Sequence, residues 1–414
     1  MTGPLAGRDT PRREVDEAGG ARDHGKRPRI RAIRPVVVNA RMRNWIFVKV
    51  ETDQPGLHGW GEATLEWKTS GVVGSVKDVG RLLVGEDPLR IEHLYQVMTR
   101  QYFWRAGIEG MSAISGIEQA LWDIKGKWFG VPVYELLGGR VRDRVRLYNH
   151  TGGGEMKAMY ETDEVGAVVD GALAVKEQGF TALKFMPVPR TEPVEGMRSV
   201  VKAERIVRAV RDAVGQDVDL MVDLHGRCQP AMAIRYCHAF EPHGLLFFEE
   251  PCPSEDLAAT AQVMAAASIP IATGERLVGR AQFRELIESR ACHIVQPDLS
   301  HCGGLWEARK IAAFAETYSM SVAPHNPNGP VALAAAIHFA LATPNWTIQE
   351  MITDDVPWRD DVLRQAVEVE EGYAGVPTRP GLGIEVDEAA AARHPFMPEA
   401  EQRYFHPDGS VADW

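Results

Sequence analysis

Several signatures are missing from this sequence, and each absence removes a class of function. The five cysteines (Cys228, Cys237, Cys252, Cys292, Cys302) form no CxxC pair and are odd in number. They read as reduced thiols rather than a disulfide framework. No apolar run is long enough to span a bilayer. The opening stretch "MTGPLAGRDTPRREVDEAGGARDHGKRP" lacks the apolar core of a signal peptide, so the cytoplasm is the expected compartment. Being polar, charged and rich in Gly and Pro, residues 1–29 are expected to be a disordered extension. Excess positive charge is missing too. A net charge of −11 argues against a nucleic-acid partner or an anionic membrane surface. An acidic substrate stays open, because a metal ion reverses the field locally. "GGG" at 152–154 has no Lys-Ser/Thr after it, so it is a loop and not a phosphate cradle.

What is present is a soluble globular composition in 414 residues, enough for two domains or one large barrel. Residues 30–63 hold three strand-like runs, Ile33–Asn39, Trp45–Glu51 and Gly59–Ala63, separated by turn chemistry such as "DQPG". In "SAISGIEQALWDIKGKWFG" (112–130), Ile114, Ile117, Leu121, Ile124 and Trp128 recur at helical spacing. Ser115 and Glu118 fit a capping box, and Gly130 fits a C-terminal stop. This α+β domain is expected over 30–141. From 142 to 370, short Val/Ile/Leu/Phe runs alternate with amphipathic segments, the mark of βα units. Strand ends are expected near Tyr148, Lys184, Asp223, Glu249, Glu275, Asp298, His325 and Glu350. Eight such ends fit an α/β fold of the (β/α)8, TIM-like barrel type better than an open sheet. The segment 371–414 is expected to pack back on the first domain.

The ionisable residues at these ends are periodic. Asp223 to Glu249 is 26 residues and Glu249 to Glu275 is again 26; Glu275 to Asp298 is 23, Asp298 to His325 is 27, and His325 to Glu350 is 25. Each interval is one βα unit, so all of them belong on the C-terminal rim of the barrel, where active sites of this fold lie. Any one acid could cap the following helix. Three converging carboxylates instead repel one another unless a cation joins them, and an all-oxygen set suits Mg²⁺. Asp223, Glu249 and Glu275 are therefore the expected metal ligands. In "VDLHGR", His225 shares the strand face of Asp223, although Asp and Gly also make turns.

"VDLHGR", "FFEEP", "GER", "QPDLSHCGG" and "APHNPNGP", with "GWGEA", "SAISGIEQALWDIKGK" and "GSVADW", resemble the enolase superfamily, mandelate racemase subgroup. Within it the chain is most similar to galactonate-type acid-sugar dehydratases. The resemblance covers nearly everything after residue 30. It implies that the first domain caps the barrel and is completed by the C-terminal segment. It also implies that Mg²⁺ sits on Asp223, Glu249 and Glu275. His325 would be the general base, Asp298 its partner, His225 the general acid and Glu350 a carboxyl group facing the bound carboxylate. The implied reaction is dehydration of an aldonate to a 2-keto-3-deoxy acid through an enediolate. A homo-oligomer is implied as well.

One departure matters. Relatives with two opposed bases carry Lys-x-Lys at the second barrel strand, whereas here Lys184 is followed by Met186 in "LKFMPVP". That favours dehydration over racemisation. Lys184 is expected near the substrate without a proton-transfer role. Arg227 and Arg276 would contact substrate hydroxyls or neutralise the carboxylates. Trp67 in "LEWKTSG" and Trp104 and Arg105 in "QYFWRAG" would close over the substrate or serve domain packing. His301 is either a supporting group or a site residue, and His338, inside an apolar helix, is expected to be packed. Two alternatives remain. One is an epimerase or racemase on the same scaffold. The other is a non-catalytic acid-sugar binding protein, which would have no need for paired acid–base histidines.

Overall fold

The computed structural model describes residues 26–153, 155, 157–158, 164–188 and 190–413. Most of the expected disordered extension therefore lies outside the described residues. The capping domain opens with an antiparallel meander of β1 (Ile30–Ala40), β2 (Arg43–Thr52) and β3 (His58–Glu62). Three helices follow: α1 (Thr69–Arg81), α2 (Ile91–Arg100) and α3 (Ile108–Phe129). In "GWGE" the glycines let α3 lie directly on β3. A Cβ on Gly59 or Gly61 would sit 2.0 Å from the carbonyl oxygen of Ala120 or Gly116.

The helix α3 begins earlier than expected, so Ser115 and Glu118 lie in its middle and form no capping box. Their capping chemistry is used on another element. Glu118 accepts from the backbone N–H groups of Leu305 (2.8 Å) and Trp306 (3.0 Å), the first residues of the barrel helix Leu305–Thr317. Glu62, at the end of β3, does the same for Gly329 (2.6 Å) and Ala332 (2.8 Å) at helix Pro330–Ala342. Two carboxylates of the capping domain thus satisfy otherwise orphaned donors at two barrel helices. Gly130 does end α3, in the left-handed region at φ 72°.

The barrel strands run in sequence order: β4 (Val145–His150), β5 (Ala182–Phe185), β6 (Asp219–Asp223), β7 (Leu245–Glu249), β8 (Ile271–Thr273), β9 (Ile294–Val295), β10 (Ser321–Val322) and β11 (Gln349–Glu350). Parallel pairing links β4 through β10, and β11 closes the ring on β4 by pairing Leu147 with Gln349 and Tyr148 with Glu350. A parallel bridge from Val322 to Trp346 completes the other side. Inside, each strand or its edge contributes one side chain to a filled layer: Tyr148, Ala182, Met221, Phe247, Ala272, Ile294, Ala323 and Ile348. The floor of the site is thus packed, leaving chemistry to the rim.

Beyond Glu350 the chain divides its contacts. Tyr373–Ala374 pairs antiparallel with the start of β4, so it extends the barrel sheet rather than the capping domain. Glu388 pairs with Lys49 (2.5 Å), and Glu385 with His58 (2.7 Å), tying the later segment to the meander. His406 returns to the barrel at Glu192 (3.2 Å). Among the described residues no helix is long and apolar enough to cross a membrane.

Candidate active site

Register places the first two acids side by side, since Asp223 and Glu249 are paired Cα partners at the ends of β6 and β7. Glu275 follows β8 by two residues, beyond Gly274, whose φ of 135° turns the chain back over the rim. One ligand oxygen from each of the three acids lies within 4.8 Å of the others. All three side chains are buried. Burial and the neighbouring like charges push Glu249 well above the ordinary carboxylate range, and burial with Glu250 pushes Glu275 up to about 8. Burial raises Asp223 as well, but His225 and Lys184 outweigh it and hold that carboxyl below its ordinary value. The trio cannot ionise together without added positive charge. Among the described residues, Glu249 Oε2 and Glu275 Oε2 are buried with no hydrogen-bond partner. Bare oxygens on three converging carboxylates fit a hard divalent cation such as Mg²⁺.

Lys184, at the end of β5, sits 2.6 Å from Glu249 Oε1, 3.0 Å from Glu350 Oε1 and 3.6 Å from Asp223 Oδ2. Desolvation opposes its charge, yet Glu249 and Glu350 hold the ammonium proton far above the usual range. Glu350 is correspondingly ionised. Although burial opposes it, Lys184, His325 and His150 keep it well below its ordinary value. In that form Glu350 accepts from His150 Nε2 (2.6 Å), Lys184 and the Asn326 backbone N–H (2.7 Å).

His325 Nδ1 lies 2.8 Å from Asp298 Oδ2. An ionised carboxylate can only accept, so Nδ1 carries the hydrogen and Nε2 is the nitrogen left for chemistry. That Nε2 is 3.7 Å from Glu275 Oε1. Burial disfavours the imidazolium, but Glu275, Glu350 and Asp298 raise His325 well above its usual value. A cation held by the carboxylate trio would offset part of that field and return His325 toward the neutral base. His225 takes a left-handed backbone (φ 51°), with its Nε2 3.4 Å from Asp223 Oδ2. Burial drives it down to about 3.

These groups surround a cleft of about 710 Å³, its open mouth included, lined by Glu66, Trp67, His150, Lys184, Asp223, His225, Glu275, Arg276, His325, Pro327 and Glu350. Arg276 reaches it while pairing with Glu250 (2.9 Å) and donating to the His225 carbonyl (2.6 Å). Trp67 and Lys184 border the cleft as expected, whereas the remaining three expected contacts lie elsewhere. Arg227 is buried and donates to the Val188 carbonyl (3.2 Å), outside the cleft lining. Trp104 is 83% exposed beside Phe103, and Arg105 folds back onto the Thr99 carbonyl (2.8 Å). Neither borders the cleft. His338 is fully buried, with Nδ1 accepting from the Tyr134 N–H (3.2 Å).

His150 is the site residue that sequence reasoning passed over. The available signal is an ionisable residue closing the strand-like run "RLYNH", 200 positions before Glu350. The strand runs two residues past Tyr148, which points into the barrel.

Two family models match the chain. One is the mandelate racemase/muconate lactonizing enzyme N-terminal domain, over residues 26–138; the other is the enolase C-terminal domain-like family, over residues 167–390. Among curated relatives, the D-galactonate dehydratase of Variovorax paradoxus is 41% identical over 385 residues, covering 89% of this chain and 96% of its own. That of Ralstonia nicotianae is 41% identical over 378 residues with the same coverage. Among solved structures, an enolase from Pantoea ananatis with bound D-gluconate and Mg is 31% identical with a TM-score of 0.82, covering 93% of this chain and 99% of that one. An enolase-superfamily member from Salmonella Typhimurium is 29% identical with a TM-score of 0.82, covering 89% and 98%.

Proposed function

This chain belongs to the mandelate racemase/muconate lactonizing enzyme family, and from that premise we propose that it dehydrates a sugar acid of the aldonate class to a 2-keto-3-deoxy acid. The observation that carries the reading is the cleft itself. Of its three imidazoles, His150 is tied to Glu350, while His325 and His225 stand beside a metal-fitting carboxylate trio, with Met186 where a second lysine would follow Lys184.

Asp223, Glu249 and Glu275 would hold Mg²⁺, which supplies Lewis-acid stabilisation of the charge that develops on the substrate carboxylate. Lys184 adds a fixed positive charge in the same space. His325 Nε2 takes the α-proton while Asp298 holds Nδ1–H and supports the imidazolium that forms. The electron pair of the broken C–H bond expels the β-hydroxyl, which leaves as water with a proton from His225. Burial keeps His225 neutral before substrate arrives, so its acid form depends on the negative charge the substrate brings. The enol product then tautomerises to the keto acid. The galactonate activity of relatives and the gluconate-bound neighbour support an aldonate as the first substrate to try.

The test is incubation with Mg²⁺ and a panel of aldonic and aldaric acids in D₂O, followed by proton NMR. The reading expects a new C3 methylene signal, absent with His325→Asn. Exchange of the α-proton with epimer and no keto acid would replace it with epimerisation. Binding of a sugar acid with neither exchange nor turnover would replace it with a binding protein.

A further inference from the structure

Asp298, which orients His325, is itself held by more than its own loop. Oδ1 accepts the Ser300 backbone N–H (2.6 Å), while Oδ2 faces His325 Nδ1 (2.8 Å), Asn328 Nδ2 (3.0 Å) and His301 Nε2 (3.5 Å). The other nitrogen of His301, Nδ1, lies 2.9 Å from the hydroxyl of Ser112 on the capping-domain helix α3. Both residues are buried. The Ser112 hydroxyl also lies 2.8 Å from the Ile108 carbonyl.

One face of α3 reads the whole segment from 299 to 306. Gln119 donates to the Leu299 carbonyl (2.9 Å), Ser115 accepts from the Gly303 N–H (2.9 Å), and Glu118 caps Leu305 and Trp306. The spacing of Ser112, Ser115 and Glu118/Gln119 is that of a single helical stripe. Three of these anchors bond backbone, and they would hold the segment whatever side chain stood at 301. The fourth, Ser112, bonds a side chain, and that side chain continues to Asp298. Holding the loop does not require a histidine there. Joining a hydroxyl on one side to a carboxylate on the other does.

Asp298 is acceptor-only, so His301 braces it through a hydrogen on Nε2. On the other side, among the described residues, Nδ1 faces the Ser112 hydroxyl, which is itself anchored on the Ile108 carbonyl. We propose that Ser112 and His301 are positioning residues for the base: His301 joins a capping-domain hydroxyl to Asp298, bracing that carboxylate and through it the Nδ1–H of His325. Orientation of the base thereby depends on the seating of the capping domain on the barrel. The inference deepens the dehydratase reading and rests on it for the role of His325.

The test compares His301→Leu, His301→Gln and Ser112→Ala with the parent protein, because Gln keeps a donor toward Asp298 and Leu does not. Expected for His301→Leu is a fall in kcat of roughly tenfold to a hundredfold with KM little changed, and for Ser112→Ala a smaller fall. His301→Gln should recover most of the loss. A second readout needs no turnover. The downfield His325 Nδ1–H proton resonance of the substrate-free protein, assigned by its absence in His325→Asn, should shift or broaden in His301→Leu and Ser112→Ala. It should persist in His301→Gln. An unmoved resonance with kcat within about twofold of the parent overturns the proposal. So does a loss in which all three variants, Gln included, fall in step with their melting temperatures. If the parent turns over no sugar acid, the dehydratase reading fails by itself, and the resonance still decides the positioning role.

Discussion

His150 and Glu350 end the first and last strands of the barrel and meet across its seam, Nε2 to Oε1 at 2.6 Å. The pair is buried, and Lys184 stands on the other side of the same oxygen. The contact that closes the ring is therefore also part of the site.

Removing the imidazole leaves a buried, ionised Glu350 with one donor fewer. A hydrogen bond to a charged group contributes about 1.5–3 kcal/mol. For His150→Ala we expect kcat/KM on the sugar acid to drop by about tenfold or more. Steady-state kinetics with a melting curve check it. Unchanged kcat/KM would mean the pair serves closure only.

Cation binding is expected to stabilise the fold through the trio. At a hundred times its dissociation constant, a ligand that binds only the native state adds about 2.7 kcal/mol. The melting temperature of the parent protein should rise with MgCl₂ and fall back with EDTA. Glu249→Gln should abolish the response, since it removes a charge and an oxygen that no described residue satisfies. A Mg²⁺-dependent shift surviving in Glu249→Gln would move the cation elsewhere.

The two imidazoles should separate under isotope exchange. His325→Asn is expected to lose both α-proton exchange and dehydration. His225→Asn should lose dehydration by roughly 10²–10⁴-fold while retaining exchange. Equal loss of both signals in the two variants would contradict distinct base and acid roles.

Stability should depend on acid pH through Glu385. Burial opposes its charge, but the His58 contact, Lys127 and the Trp60 indole N–H bring it from an ordinary 4.5 down to about 2. A depressed carboxyl contributes stability above its unfolded pKa, and that contribution fades as pH falls toward the folded value. With the shift discounted for solvent screening of this partly exposed carboxylate, Glu385→Gln should cost about 1 kcal/mol near neutrality, the gap to the parent narrowing below about pH 4.5. Urea melts at several pH values measure it. A gap constant down to about pH 3 would show that the carboxylate charge is not what holds the tail on the meander.

Much of the site was legible because a βα unit has a nearly constant length. Asp223, Glu249, Glu275, Asp298, His325 and Glu350 recur at that interval, and the rim is where they meet. The legibility failed where the interval carried no information. Glu275, Asp298 and His325 lie two or three residues past β8, β9 and β10, because these strands are short and the loops do the reaching. Glu118 read as a local cap because its partners, Leu305 and Trp306, are 187 and 188 residues away. Trp104 and Arg105 read as cleft or domain-packing residues from their type, but the structure leaves Trp104 exposed and turns Arg105 back onto the end of α2.

By itself the sequence determined what local chemistry controls: strand and helix periods, the order of ionisable residues along the rim, and the glycines of "GWGE" that admit α3. Only the tertiary structure decided which of those groups touch. The ionised state of Glu350, the joining of His150 to it, the burial of Lys184 among carboxylates and the Ser112–His301–Asp298 line all depend on distances between residues far apart in the chain. Those distances are set by ring closure and by the seating of one domain on another, and burial there makes each contact strong enough to fix a proton.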